Sequence, residues 1–291
     1  MKIQFVTGKG GVGKSAVAAA LALRSAQSGK RTLLVELGGQ SFFQHSLQTE
    51  SITYTPTLVR PNLSIALWSG PECLKEYALH LLKIPQLYQL FFENAVSRSL
   101  INVAPALPEL AILGKITSGP PRNVGPALPF DCLVVDAFAS GHFLALLQAP
   151  VGMAEAIKMG PMAEQSRGIQ AVMRDPKISE YFVVSFPEEL PVVEGLDLWQ
   201  KIQAQVGIKP VAVYNRCLPD LDYLSESSPG LRPWAEQMKQ SLTQQKRFAK
   251  EWVQAGVNPL ILPWVAQTTR GSAWPFVEAL AQDPAWSALH V

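Results

Sequence analysis

Short, nearly continuous apolar runs recur along the chain and alternate with longer stretches whose apolar residues repeat at helical spacing. Runs at Ile3–Thr7, Thr32–Glu36, Leu63–Trp68, Cys132–Asp136, Tyr181–Ser185, Val211–Asn215 and Leu260–Leu262 predict strands. Unbroken runs of this kind belong to strands buried on both faces, whereas a strand with one wet face alternates. Between them, Lys14–Ser28, Leu190–Gln205, Trp234–Gln254 and Trp274–Ala281 predict helices, with Gly29 as a C-terminal cap for the first. The alternation predicts an α/β fold with a doubly wound, mostly parallel sheet covered by helices.

Residues Pro71–Ser118 break the alternation. There Tyr77, Leu81, Leu82, Leu87, Leu90, Phe91 and Phe92 stand at roughly helical spacing, and Pro85 divides the run. This predicts a helical subdomain inserted at about 71–118. The proline- and glycine-rich stretch Ser118–Pro129 reads as a loop back to the sheet. With no internal repeat, residues 1–291 read as a single large domain.

Composition changes the picture at few points. Hydrophobic residues make up 48% and charged residues 16%, against a usual charged share of about 25%. That deficit predicts extensive buried surface, an oligomer interface included. A net charge of +2 with no long basic block offers nucleic acid no electrostatic footing. Cys73, Cys132 and Cys217 are widely spaced, which argues against a disulfide framework and a cysteine zinc site. No run approaches the roughly 18 apolar residues of a membrane span. The first apolar run is too short for a signal peptide, so a cytoplasmic location is expected.

Candidate chemistry begins where the first strand meets the first helix. Residues 8–15 read Gly-Lys-Gly-Gly-Val-Gly-Lys-Ser, which fits G-x-x-x-x-G-K-[ST]. The glycines let the backbone turn its N–H groups onto phosphate oxygens, where a helix N-terminus favours negative charge. Gly8, Gly10, Gly11, Val12, Gly13, Lys14, Ser15 and Ala16 are therefore the candidate ATP- or ADP-binding residues. Lys14 would reach the β- and γ-phosphates and the Ser15 hydroxyl would ligate Mg²⁺. The run Leu133-Val-Val-Asp136 ends in a carboxylate at the sheet edge, where it would sit beside the Mg²⁺ shell. Ser15 and Asp136 are the candidate metal residues.

Lys9 is one lysine more than such a loop needs. The stretch Lys9–Ser15 resembles the deviant Walker A motif of the SIMIBI class of dimeric P-loop ATPases. There the early lysine crosses the subunit interface and touches the partner's nucleotide. The resemblance implies a homodimer, or a heterodimer with a paralogue, holding ATP between its subunits, with Lys9 in a catalytic role. Asp136, Gly141, His142, Leu144, Leu147 and Pro150 are similar to the switch II pattern of the arsenical-pump and tail-anchored-protein targeting ATPases, although Phe138-Ala-Ser replaces its middle. That implies a switch role for His142. Ser185–Glu194 resembles the family's Pro-Glu-Glu-Leu-type turn, and Val211–Arg216 its segment in which an asparagine reads the adenine edge, here Asn215. An amide suits that edge because it donates and accepts at once. Leu262-Pro263 resembles the late strand and proline that line the base pocket. The resemblance also implies a hydrophobic client or membrane-protein partner at Tyr77–Leu113, beside the plainer reading of that stretch as the core of a helical subdomain.

Switch I departs from the family. Relatives follow the second strand with an aspartate that orients the water attacking the γ-phosphate. Here the segment is Leu33-Leu-Val-Glu36-Leu-Gly-Gly-Gln40-Ser41, and the aspartate's place falls on Gly38 or Leu37. Glu36 is the nearest carboxylate, about 6–7 Å further back along the strand. Its extra methylene returns only about 1.5 Å. Gln40 is the other candidate, since glutamines orient the water in some GTPases. Lys9, Glu36 and Gln40 are thus the catalytic candidates, and hydrolysis is expected to be slow while Mg·ATP binding is kept. Without C-x-x-C or clustered thiols, neither a zinc-clipped dimer nor an arsenite site is expected. Two alternatives stand beside this reading. One is a regulatory pseudo-ATPase that lends Lys9 to a catalytic paralogue. The other is a partitioning or division-site ATPase; those carry basic DNA-binding surfaces or a basic amphipathic helix at the C-terminus, and Asp283-Pro-Ala-Trp-Ser-Ala-Leu-His-Val argues against that.

Overall fold

The computed structural model describes residues 1–49, 51–82, 106–122, 124–219, 229–266 and 271–288. Its strands are β1 (Lys2–Gly8), β2 (Thr32–Leu37), β3 (Thr57–Arg60), β4 (Leu63–Trp68), β5 (Cys132–Ala139), β6 (Ser179–Ser185), β7 (Val211–Cys217) and β8 (Leu260–Pro263). The helices are α1 (Lys14–Gln27), α2 (Phe42–Ser46), α3 (Gly70–Leu82), α4 (Leu107–Ile116), α5 (Ser140–Ala156), α6 (Pro161–Met173), α7 (Glu189–Val206), α8 (Arg232–Gln254) and α9 (Trp274–Ala281). One sheet runs in the order β3-β4-β2-β5-β1-β6-β7-β8. Every neighbouring pair is parallel except the β3–β4 hairpin.

Both faces of the sheet are dry, which explains the unbroken apolar runs. Phe5, Leu33, Val35, Leu133, Val135 and Val183 point into one core with Leu110 and Leu113 of α4, Phe143 of α5 and Leu198 of α7. Val6, Leu34, Ile65, Val134, Val184 and Val213 point into the other, against Val17 and Leu21 of α1 and Val277 of α9. The period-two side-chain alternation of a strand makes this division. All seven predicted strands are present.

Four elements lie outside the strands and helices predicted from periodicity: α2, β3, α5 and α6. The predicted helical segment contains α3 and α4 at its two ends, joined by an ion pair from Lys115 of α4 to Glu76 of α3. Leu87, Leu90, Phe91 and Phe92 lie outside the described residues. Leu110, Ile112 and Leu113, at the end of the stretch read as a client surface, are at most 2% exposed and belong to the core. Among the described residues no helix is long and apolar enough to cross a membrane.

Parallel strands deliver all their C-terminal ends to one edge. The loops after β1, β2, β5, β6, β7 and β8 therefore meet there, which is where ligands of such sheets bind.

Candidate nucleotide site

The loop between β1 and α1 is shaped by close approach. Gly8 has φ +151°, and a Cβ there would lie 2.2 Å from the Val184 carbonyl oxygen on β6. Gly13, at φ +93°, is the N-cap of α1, and a Cβ on it would lie 2.5 Å from Nδ2 of Asn215. Only glycine fits either place. Asn215 ends in the core at 4% exposure, and its Nδ2 donates to the Val12 carbonyl at 3.0 Å. It thereby ties the loop to β7. The first turn of α1 has neither a side-chain cap nor an acidic residue, so its N–H groups are free to face an anion.

Lys14 folds back over the loop, and its Nζ donates to the Lys9 carbonyl at 3.1 Å. Burial lowers the proton affinity of this ammonium, and the charge of Asp136 partly restores it. Asp136 stands on β5 opposite Val6 of β1 and Glu36 of β2, and is 7% exposed. Burial pushes its carboxyl up to about 6, against the pull of a hydrogen bond with Ser15 and the charge of Lys14. Its Oδ1 is buried and has no hydrogen-bond partner among the described residues. An orphaned carboxylate oxygen beside the Ser15 hydroxyl is a hard-oxygen donor set of the kind Mg²⁺ takes. The residues fit the metal.

A cavity of about 700 Å³ opens in front of the loop. Gly11, Gly13, Lys14, Ser15, Ala16, Asn215 and Pro263 line it, so seven of the predicted binding residues share one space, while Asp136, hydrogen-bonded to Ser15, is not among its lining residues. Phe42 and Phe43 of α2, Arg216, Trp264 and Phe276 also line it, and sequence reading singled out none of these. Trp264 directly follows the Leu262-Pro263 pair, the one available signal. Nothing in the sequence marks Arg216 as holding φ +57°.

The three catalytic candidates go to different places. Lys9 is at the loop's outer edge, where its Nζ pairs with Oε1 of Glu194 on α7 at 2.8 Å. Gln40 is exposed. Glu36 is 5% exposed, and both its oxygens are taken at the start of α2, by the Ser41 hydroxyl and the Phe42 N–H. Burial raises its proton affinity and those bonds lower it. His142 is exposed at the start of α5, its ring edge-on to Phe138.

Comparison with known proteins agrees with this geometry. Residues 1–160, more than half of the chain, match the family model described as anion-transporting ATPase. The ATPase BagA of Mycobacterium tuberculosis is 30% identical over 231 residues, covering 75% of this chain and 66% of that protein. A putative arsenical pump-driving ATPase of Halobacterium salinarum is 30% identical over 237 residues, 75% of this chain and 36% of its own length. An arsenical pump-driving ATPase of Escherichia coli is 28% identical over 236 residues, 74% of this chain and 39% of its own. The match thus spans 66% or less of each of these relatives. A parallel sheet with a phosphate loop after its central strand, and a family match that begins on that strand, lead to one assignment: the chain belongs to the anion-transporting ATPase family, whose arsenical-pump members it resembles.

Proposed function

We propose that this chain binds Mg·ATP before the β1–α1 loop and uses nucleotide state to control face-to-face pairing with a second such chain, hydrolysing ATP slowly. The observation that carries this reading is the division of labour between two lysines on one loop. Lys14 turns inward, into the cavity beside Asp136. Lys9 turns to Glu194, beside Leu190 and Val193 of α7, which are 57% and 52% exposed. An ion pair this open is worth only about 0–1 kcal/mol, so phosphates on a partner would draw Lys9 from it.

The chemistry follows from what each side chain has free. Lys14 exchanges a single carbonyl acceptor for phosphate oxygens, and the N–H groups of the first turn of α1 join it. Ser15 and Asp136 would hold the metal, whose bound charge would neutralise the phosphates. Asn215 keeps the loop in shape and, with Pro263, would face the base. Position 38 carries no side chain to orient water, and both Glu36 oxygens are engaged elsewhere. Slow hydrolysis follows, because positioning and electrostatics supply most of the rate in phosphoryl transfer. In the same reading, nucleotide state sets the pose of the α3–α4 region, where a hydrophobic client would be held. A chain that binds ATP and lends Lys9 also suits a helper subunit paired with a catalytic paralogue.

Light-scattering mass with and without Mg·ATP tests the pairing. The mass is expected to double with nucleotide. Lys9→Ala is expected to leave nucleotide affinity within about threefold while weakening pairing at least about tenfold, an effect that shrinks in salt. A chain that is monomeric alone and mixed with a paralogue, with Lys9→Ala silent, would contradict both forms of the pairing.

A further inference from the structure

We propose that Glu36 is a positioning residue: with Ser41 it clasps α2 in place as a wall of the nucleotide cavity. This inference rests on the nucleotide reading above and assigns Glu36 a task other than orienting water. The clasp has two bonds. Oε2 of Glu36 accepts from the Ser41 hydroxyl and Oε1 from the Phe42 N–H, both at 2.5 Å. The Ser41 Oγ in turn accepts from the Gln44 N–H at 3.0 Å and caps α2. The loop that the clasp bridges has little packing of its own, since a Cβ on Gly39 would meet nothing within 4 Å.

The far end of α2 is tied as well. The Ala273 N–H donates to the Ser46 carbonyl at 2.7 Å, and the Ser272 hydroxyl to the Leu47 carbonyl at 3.1 Å. A helix of five residues does not hold itself together in water, so these end ties set where it stands. What it stands between makes the placement matter. On one side, Phe42, Phe43, Ser46 and Leu47 line the nucleotide cavity opposite Ser15 and Ala16. On the other lies an open cleft of about 1010 Å³ walled by Gln40, Gln44, His45 and Gln48. The wall is one helix thick. If the clasp opens, the cavity loses its shape on that side, and nucleotide loses Phe42 and Phe43.

Position and chemistry explain why a glutamate serves here. Glu36 stands on β2 opposite Asp136, one residue before the strand ends, so the sheet fixes where its side chain starts. Its two oxygens fit one hydroxyl and one N–H at the start of a helix, where a carboxylate is favoured by the free N–H groups. The residue that lies too far back to reach a water in front of the γ-phosphate is at the right distance to hold α2.

The test separates holding the wall from acting on water. Mg·ATP dissociation constants come from calorimetry, and amide exchange across residues 41–47 is followed in the nucleotide-free protein. Glu36→Gln and Ser41→Ala are each expected to raise the dissociation constant about tenfold and to speed exchange at Phe42 and Gln44 at least about tenfold. The double variant is expected to be no weaker than the worse single one, because both changes open one clasp. Ser41→Thr, which keeps the hydroxyl, is expected to stay within about twofold of the unmodified chain. A fall in turnover at saturating ATP in Glu36→Gln, with normal dissociation constant and exchange and with Ser41→Ala silent, would overturn the proposal. Ser41→Ala removes only one hydroxyl from a half-buried position, so it carries the test if Glu36→Gln fails to fold. The exchange readout needs no nucleotide, so it judges the clasp even if ATP proves not to bind.

Discussion

Lys14→Ala is expected to lower Mg·ATP affinity at least about 100-fold, a loss of about 3 kcal/mol. Lys14 lines the cavity, and its charge acts on that of Asp136. Charge-assisted hydrogen bonds to phosphate are about twice as strong as neutral ones, and this one forms in a partly desolvated space. Removal has a second consequence. Asp136 loses the cation that favours its ionised form, so it takes up a proton more readily and offers a metal less charge. The fold should tolerate the change, because Lys14 gives up only one hydrogen bond, to the Lys9 carbonyl. Calorimetric titration of ATP, with thermal unfolding as the control for folding, measures it. Unchanged affinity in a folded variant would move the nucleotide elsewhere.

Asp136→Asn is expected to change stability and function in opposite directions. The carboxyl is held at about 6 instead of its ordinary 3.8 because burial disfavours the charged form. A shift of about two pH units corresponds to roughly 3 kcal/mol against the fold. The sign follows from proton uptake. The folded chain binds the proton more tightly than the unfolded one, so the cost is absent below pH 4. It grows as pH rises to about 6 and is constant above. The asparagine variant keeps an acceptor for Ser15 without the charge, so it should gain up to about 3 kcal/mol at pH 7.5 and little at pH 4. It should also lose most of the Mg²⁺ dependence of ATP binding, since the orphaned Oδ1 has no charge left to offer a metal. Urea unfolding at both pH values, paired with titrations in Mg²⁺ and in chelator, checks both halves. A variant less stable at pH 7.5, or one with unaltered Mg²⁺ dependence, would contradict the assignment.

The sheet was legible because strands buried on both faces write themselves as unbroken apolar runs, as in Leu33-Leu-Val and Leu133-Val-Val. β3 was not, because it is an edge strand with Leu58 at 69% exposure and no buried position. α6 was blurred by small residues: Ala163 and Ser166 on its buried side interrupt the apolar period that Ile169, Val172 and Met173 carry. Gly160-Pro161 ahead of it was the available start signal. In the β1–α1 loop the pattern marked glycines at Gly8 and Gly13, where close approach leaves no room for a side chain. The loop's supports were not legible. Asn215 meets Val12 across 203 positions and Lys9 meets Glu194 across 185, and pairings of that range leave no local trace. The Glu36 clasp spans only five and six positions, yet it depends on a loop path around Gly38 and Gly39 that no periodicity encodes.

The proposed site, with Lys14, Asp136 and Asn215 around one loop and glycine at position 38, is expected to hold ATP far better than to hydrolyse it. The most direct measurement is a single-turnover experiment with the chain in excess over γ-labelled Mg·ATP, following bound nucleotide and released phosphate together. The expected result is stoichiometric binding, with phosphate release orders of magnitude slower than the roughly 10 s⁻¹ of a typical enzyme. Brisk release by the unmodified chain, abolished in Glu36→Gln or Gln40→Ala, would contradict it and show that a switch I side chain orients the water after all.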